Sequence, residues 1–325
     1  MENYNVVRYS SLNYVEWNEF VSKSKNATFL FHRDFMEYHK DRFDDFSLMV
    51  YYKEKLVALF PANIYQFTIY SHQGLTYGSF IINEKIKLLE VFEAFKKMLE
   101  YLYLQGVKRL FIKMIPNFYN SQLSDELEYV LFKAKATLVK RDALMVIDYK
   151  NQIPFQKKRR EGLNKAKRHN LTIQIEDDFE PFWKEILQPN LSSKHKVLPV
   201  HSLEEIKLLA SRFPENIKQI NVYKEDKLVA GTTLFITKTT LHPQYVSGNQ
   251  EKNKLGSLDF LYDFLINKYP VKRPYFDFNI SSEDNGEFLN KGLIFWKESC
   301  GARTFKSDNY ELETVVYKNL ELKLV

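Results

Sequence analysis

The side chains able to do chemistry in this chain are few enough to weigh one by one. His195, His201 and Glu283 lie in loop or strand-end segments, from which a side chain can reach a cleft and accept a proton. The only cysteine, Cys300, stands between Ser299 and Gly301 with no histidine nearby. It reads as a small buried hydrophobe rather than a nucleophile, and a single cysteine excludes an intramolecular disulfide or a cysteine metal site. His32 with His39, or His195 with His201, would be metal pairs spaced by seven and six residues without a third ligand, so no metal is expected. No phosphate-binding P-loop, dinucleotide fingerprint or serine nucleophile elbow is present. Anion binding has one candidate place, Lys252 to Leu258. A helix starting there would offer unpaired N–H groups and its dipole to a diphosphate, with Lys252 and Lys254 adding charge; the alternative is that Gly256 only lets a loop turn into a helix. Asp277 alternates with Phe276 and Phe278, so it points away from an apolar face, toward a site or toward a buried partner such as Lys297 or Arg303.

Elements must exist to position these groups. At 325 residues the chain suggests two domains, and 45% hydrophobic with 27% charged residues is globular composition. The formal charge of +6 favours anionic ligands without selecting among them. The opening residues lack a basic start followed by an apolar run, and Lys or Glu interrupts every apolar stretch well short of a membrane span, so a cytoplasmic protein with no membrane partner is expected.

The chain also repeats itself. Tyr52-Lys53-Glu54-Lys55-Leu56-Val57-Ala58 is echoed by Tyr223-Lys224-Glu225-Asp226-Lys227-Leu228-Val229-Ala230, His72 by His242, and Lys108-Arg109 by Lys272-Arg273, in the same order and at nearly constant spacing. Each copy reads as a hairpin, a strand, a helix and a strand. Leu88, Phe92, Phe95, Leu99 and Leu102 form one helix face in the first copy, and Leu258, Leu261 and Leu265 in the second. Tyr275 to Ile280 reads as a buried strand, Gln152 to Asn170 as a linker entering a basic helix, and Tyr310 to Val325 as an edge or closing strand. The expected class is α/β, in the α+β sense: two tandem domains, 1–150 and 151–325, each a mixed, mostly antiparallel sheet flanked by helices. Asp34 is expected to cap a helix after Phe31-His32-Arg33.

That order of elements resembles the core of GNAT acyltransferases, and its duplication resembles their FemAB-like branch. The more specific stretches are Ser193-Lys194-His195, Pro199-Val200-His201-Ser202-Leu203-Glu204-Glu205, Leu228-Val229-Ala230-Gly231, His242-Pro243-Gln244-Tyr245, Phe276-Asp277-Phe278-Asn279-Ile280-Ser281-Ser282-Glu283 and Leu289-Asn290-Lys291-Gly292-Leu293. Together they resemble N-acyltransferases acting on nucleotide-linked amino sugars, in particular dTDP-3-amino-3,6-dideoxyhexoses, in surface polysaccharide synthesis. The resemblance implies an acyl coenzyme A donor carrying a short acyl or 3-hydroxyacyl group, and no metal.

Direct transfer of this kind needs a base for the amine, donors for the oxyanion and an acid for the leaving thiolate. His195, His201 and Glu283 are then the candidate bases, Tyr245 the acid, and the backbone near Val246 or Ser247 the oxyanion donor. Lys252, Lys254, Gly256 and Ser257 would hold the coenzyme. Arg159, Gln244, Asp277, Ser281, Asn290 and Lys297 would hold the acceptor, with His32, His72 and Tyr77 from the first domain. The coenzyme loop of the family reads Gln or Arg, two residues, Gly, one residue, then Gly or Ala; here only Gly256 is kept, with Lys254 and Glu251 at the other two places. The first domain has no glycine between Ile82 and Lys87 and is expected to be the non-catalytic copy. A competing reading starts from the basic run Lys157, Lys158, Arg159, Arg160, Lys165, Lys167 and Arg168. FemAB-like relatives include transferases that take their acyl group from aminoacyl-tRNA, and such a run, with 15% aromatic residues, also suits a non-catalytic RNA-binding module.

Overall fold

The structure, a computed structural model, describes residues 3–324 apart from the side chains of Lys194 and His195. The chain forms two compact units. The first runs up to Asp142 and resumes at Lys306; the second spans Ala143 to Phe305. Along the chain the first unit contains β1 (Tyr4–Arg8), α1 (Tyr14–Lys23), α2 (Arg33–Met36), β2 (Asp44–Asp45), β3 (Leu48–Tyr52), β4 (Lys55–Phe60), β5 (Asn63–Tyr65), β6 (Thr68–Tyr70) and β7 (Ile81–Ile82). It continues with α3 (Leu88–Leu104), β8 (Arg109–Lys113), α4 (Glu126–Lys133) and the start of β9 (Thr137–Asp148). The second contains the rest of β9, α5 (Lys157–Arg168), β10 (Leu171–Glu176), a π-helical turn at Phe182–Leu187 leading into α6 (Gln188–His195), and α7 (Leu203–Arg212). There follow β11 (Ile217–Lys224), β12 (Lys227–Ile236), β13 (Thr240–Gly248), α8 (Lys252–Leu255), α9 (Ser257–Asp263), β14 (Tyr275–Ile280), a small hairpin of β15 (Ser282–Glu283) and β16 (Phe288–Leu289), α10 (Lys291–Ser299) and the start of β17 (Arg303–Glu313). Among the described residues no helix is long and apolar enough to cross a membrane.

The second unit is built on the strand order β10-β11-β12-β13-β14-β9, antiparallel except for the β13 and β14 pair. From Leu228 onward every residue of β12 is buried, as a central strand covered on both faces requires. One face packs Ile220, Val222, Leu234 and Phe276 against Leu261 and Leu265 of the following helix. In the first unit, β1-β3-β4-β7 form one sheet, while β2, β5, β6, β8 and β17 run side by side. There Phe92, Phe95, Leu99 and Leu102 of α3 are buried as their spacing predicts; Leu88, at the exposed helix start, is not.

The duplication is visible in hydrogen-bond register. In β3–β4 the pairing passes from Val50↔Ala58 to Tyr51↔Leu56, and in β11–β12 from Val222↔Ala230 to Tyr223↔Leu228. Val57 and Val229 are therefore the extra residues of two equivalent bulges. The next landmarks need correction. The parallel ladders begin at Thr68↔Arg109 and Thr240↔Tyr275, so His242 corresponds to Tyr70 rather than to His72, and Tyr275 to Arg109. Backbone pairing defines equivalence here, and the matching letters were offset from it.

The domain limits also differ from the sequence expectation. β9 passes from one unit to the other, with its Leu144–Asp148 portion paired to β14, so the second unit starts at Ala143. The carboxyl-terminal segment belongs to the first unit because β17 pairs with β8. It is a strand only to Glu313, after which Thr314–Asn319 is a 3-10 helix. Asp34 lies inside α2 and accepts from the Tyr14 hydroxyl at 2.6 Å, with His32 at the N-cap position instead.

His39 and His72 are buried together beside Tyr38 and Phe43, with ring centroids 5.1 Å apart. Burial pushes His39 down to about 4 and His72 to about 3, from an ordinary 6.5. Below pH 6.5 the unfolded chain binds protons that the folded chain refuses, so their contribution is complete above that pH and is lost on acidification toward 4. The urea midpoint is expected to fall steadily across that window, and His39→Phe is expected to flatten the slope.

Candidate active site

The central feature of the second unit is a fork. β13 and β14 pair only at Thr240↔Tyr275 and Leu241↔Phe276. Beyond that point β13 stays with β12 as far as Gly248, while β14 stays with β9 as far as Ile280. Each strand thus follows its other neighbour, and their facing edges lose ladder partners. Local sequence assists the parting. Pro243 has no N–H to give to a ladder and sits beside a bulge, where Thr233↔Tyr245 is followed by Leu234↔Pro243 and Gln244 is the extra residue. In β14 the pairing breaks between Asp277 and Ile280, with Asn279 in the left-handed region at φ 69°.

On one face of the fork lies a cavity of about 700 Å³. Its inner wall is apolar: Val246 of β13, Leu258 and Tyr262 of α9, Phe278 of β14, and Leu293 and Trp296 of α10. Tyr262 stacks on Phe278 at 5.2 Å and meets Trp296 edge-on at 4.8 Å. The outer lining is mainly basic, with Lys158, Arg159 and Lys165 of α5 and Lys252 of α8 set against the carboxylates of Glu161 and Asp259. α5 can sit over α8 and α9 because two facing glycines allow it. A Cβ on Gly256 would lie 2.1 Å from the Gly162 carbonyl oxygen, and one on Gly162 would lie 1.7 Å from Asp259 Oδ2. Arg159 Nη1 then reaches Asp259 Oδ1 at 2.5 Å. Lys297 of α10 also lines the cavity, donating from Nζ to the carbonyls of Asn279 at 3.0 Å and Ile280 at 2.6 Å. Burial pushes its pKa down to about 8 against the opposing pull of Asp277.

The opposite face of the same strands is polar. Phe276 and Phe278 join the core on the cavity side, so Asp277 points away from it, as the alternation predicts. Its Oδ2 lies 3.1 Å from His242 Nδ1, with both side chains almost fully buried, and its charge also acts on Lys297. His242 Nε2 is 3.1 Å from Gln244 Oε1. Tyr245 follows on this face, its hydroxyl 2.6 Å from His201 Nδ1 and its ring 4.9 Å from Trp183. Burial pushes the Tyr245 hydroxyl up to about 12.

Compared with protein-family models the sequence matches none, and it has no match among curated proteins. Solved structures do match. FemX is similar over 98% of this chain and 100% of its own, with a TM-score of 0.66 at 10% identity. L-PGS from Bacillus licheniformis is similar over 82% of this chain and 83% of its own, with a TM-score of 0.53 at 14% identity. A protein of unknown function from Bacteroides thetaiotaomicron is similar over 95% and 98%, with a TM-score of 0.53 at 12% identity. At these identities the fold is what is shared. The expected fold, two tandem α+β units with mixed, mostly antiparallel sheets flanked by helices, is the fold observed.

The site residues expected from sequence separate into groups. Val246, Lys252, Arg159 and Lys297 meet at the cavity. Gln244, Tyr245, His201 and Asp277 share the polar face. Ser247 Oγ accepts from Asn190 Nδ2 at 2.8 Å. Gly256 faces the backbone of α5 rather than open space, Ser257 is buried beside it, and Lys254 is exposed next to Glu251. Glu283 is exposed on the β15–β16 hairpin and accepts from Asn290 Nδ2 at 2.6 Å, while Asn290 Oδ1 caps α10 by accepting from Leu293 N. Ser281 is buried, and its carbonyl accepts from Asn290 N. The side chain of His195 lies outside the described residues. In the first unit, His72 belongs to the His39 cluster, His32 is at the start of α2, and Tyr77 donates to Thr28 Oγ1 at 3.1 Å within the core.

Sequence reasoning did not assign His242 or Trp183 to the site. His242 served only as a landmark of the repeat, although a histidine next to Leu241 on one strand and an aspartate next to Phe276 on its parallel neighbour were a signal for a pair. Gly256 has two demands on it, a φ of +71° and contact with Gly162. Gly256→Val is therefore expected to cost on the order of 3 kcal/mol of unfolding free energy, seen as a lowered urea midpoint, rather than to affect ligand binding alone.

Proposed function

We propose that the second unit transfers an acyl group from a coenzyme A thioester to the amine of a nucleotide-linked sugar. The observation that carries this reading is the fork with its cavity: an apolar interior behind four basic side chains, opening onto strand edges without ladder partners. Acyl coenzyme A has matching chemistry, with anionic phosphates at one end and a long, largely apolar arm ending in the thioester. Lys158, Lys165 and Lys252 would meet the phosphates, and Val246, Tyr262, Phe278 and Trp296 would enclose the arm. The backbone N–H of Val246 or of Ser247, whichever points away from β12, is the proposed oxyanion donor. The Tyr245 hydroxyl, protonated throughout the neutral range, is the proposed proton source for the leaving thiolate. Attack is direct. Cys300 is buried, and its thiol, pushed up to about 12, is no nucleophile at neutral pH.

The fold shared with FemX supports a transferase, and the sequence resemblance narrows the acceptor to a dTDP-3-amino-3,6-dideoxyhexose and the acyl group to acetyl or 3-hydroxybutanoyl, in surface polysaccharide synthesis. The first unit is the proposed non-catalytic copy. Its β6 pairs with β8 along its whole length, so it has no fork.

A second reading has an observation of its own. α5 leaves Lys157, Lys158, Arg160, Lys165, Lys167 and Arg168 exposed, and this dense positive face, with the likeness to FemX over the whole chain, favours aminoacyl-tRNA as donor. Thiol release from acetyl and 3-hydroxybutanoyl coenzyme A, followed with a panel of dTDP-amino sugars and their hydroxyl analogues, separates the two. Amine-dependent release is the expected result; none with any sugar, together with steeply salt-dependent tRNA binding, would transfer the assignment to the second reading. Lys252→Ala and Lys158→Ala are each expected to raise the Kd for acetyl coenzyme A about tenfold in calorimetry, with the melting temperature nearly unchanged.

A further inference from the structure

We propose that His242, with Asp277 beside it, takes the proton from the attacking amine. This rests on the acyltransferase reading and identifies the base within it.

The position of the pair is the first argument. Leu241 and Phe276 form the last rung of the β13–β14 ladder, and His242 and Asp277 are the next residues on each strand. They stand at the crotch of the fork, where backbone pairing between the two strands stops. The second argument is their preparation. The two side chains are 4% and 3% exposed as whole residues, and a carboxylate so buried is costly unless its oxygens are engaged. Oδ1 accepts from Asn279 N at 2.7 Å and Oδ2 faces His242 Nδ1 at 3.1 Å. The carboxylate is thus fixed by the same left-handed turn at Asn279 that bends β14, and it stands beside the imidazole as a counter-charge without a formed hydrogen bond to Nδ1. Gln244 Oε1 only accepts, so in the contact as it stands Nε2 donates; once that amide is displaced, the proton of the neutral ring can sit on Nδ1 beside Asp277 and leave the lone pair on Nε2. The third argument is what Nε2 meets. Gln244, the extra residue of the β13 bulge, covers it at 3.1 Å and is only half-buried, so an incoming amine can take the place of its side-chain amide.

The other candidate bases are placed less well. Glu283 is exposed on the hairpin with Asn290, and His201 has its Nδ1 engaged by Tyr245.

In the proposed step the amine nitrogen forms its bond to the thioester carbonyl carbon while its proton moves to His242 Nε2. Asp277 offsets the imidazolium charge. The C–S bond then breaks, the electron pair leaves on sulfur, and the thiolate takes a proton from Tyr245, which is restored by the proton held on His242. One proton has moved from nitrogen to sulfur, and the enzyme is unchanged. The titratable groups that bear on the pair are Lys297 and Tyr262, whose charges couple to Asp277, and Tyr245 with His201 beyond Gln244. Lys297, down at about 8, belongs to the alkaline side of any pH profile and Tyr262 lies far above it.

The test uses the full chain, acetyl coenzyme A and the best sugar of the panel. His242→Gln is expected to lower kcat by about 10²- to 10⁴-fold with KM for both substrates within a fewfold, and to abolish the acid limb of kcat against pH. Asp277→Asn is expected to keep that limb but move it to lower pH, because the imidazolium loses its counter-charge. Imidazole added to His242→Ala is expected to restore part of the rate, which a residue needed only for packing would not show. A His242→Gln enzyme that melts like wild type and keeps both its rate and its acid limb overturns the proposal. If that variant does not fold, the decision passes to Asp277→Asn and to imidazole rescue, and an unshifted limb with no rescue overturns it equally. Wild-type protein that releases no thiol with any amine removes the acyltransferase reading and the base with it, whereas an active wild type with an indifferent His242→Gln removes the base alone.

Discussion

Everything of interest in the second unit depends on one broken ladder. A parallel strand pair normally continues until one strand ends, because every abandoned rung leaves polar backbone groups to be satisfied elsewhere. Here β13 and β14 separate after two rungs although each continues for several residues more. The separation is sustained from outside: β12 holds β13 to its end, β9 holds β14, and Lys297 ties down the carbonyls of Asn279 and Ile280 where β14 bends. A cavity lies on one face of the parted strands and a polar cluster on the other.

The cavity face is closed by α5, and that closure is made at two glycines. Gly162 and Gly256 let two helical segments approach until carbonyl and Cα are in contact, and the Arg159–Asp259 ion pair fixes the approach. Burial of Asp259 pushes its carboxyl pKa up, while Arg159 pulls it down. A partly buried pair of this kind gives little net stability, but it is costly to break by removing one partner, which holds the helix in one place. The basic run is thus two things at once. Arg159 turns inward as structure, and its neighbours turn outward as a positive surface.

The two units show how one topology can keep or lose such an opening. Both have the bulged hairpin and a strand running parallel to a later one. In the first unit the equivalent strand, β6, is three residues long and paired throughout, after which the chain turns at His72, which is in a left-handed conformation. Beyond that turn His72 packs with the rings of His39 and Phe43. A fold can be duplicated while the parting of its strands is not.

Local patterns in the sequence determined a good deal. The repeat of Tyr52 to Ala58 at Tyr223 to Ala230 determined two equivalent hairpins, because turn residues and bulge are set by neighbours in the chain. The alternation of Phe276, Asp277 and Phe278 determined which way the carboxylate faces, and the spacing of Phe92, Phe95, Leu99 and Leu102 determined a buried helix face. Tertiary structure alone decided the rest, because the deciding contacts join residues far apart in the chain. That Asp277 meets His242, that Gly256 serves contact with Gly162 as well as a turn, and that β17 returns to the first unit all depend on strand register and helix approach. Such arrangements are settled only when whole elements pack, and no stretch of neighbouring residues records them.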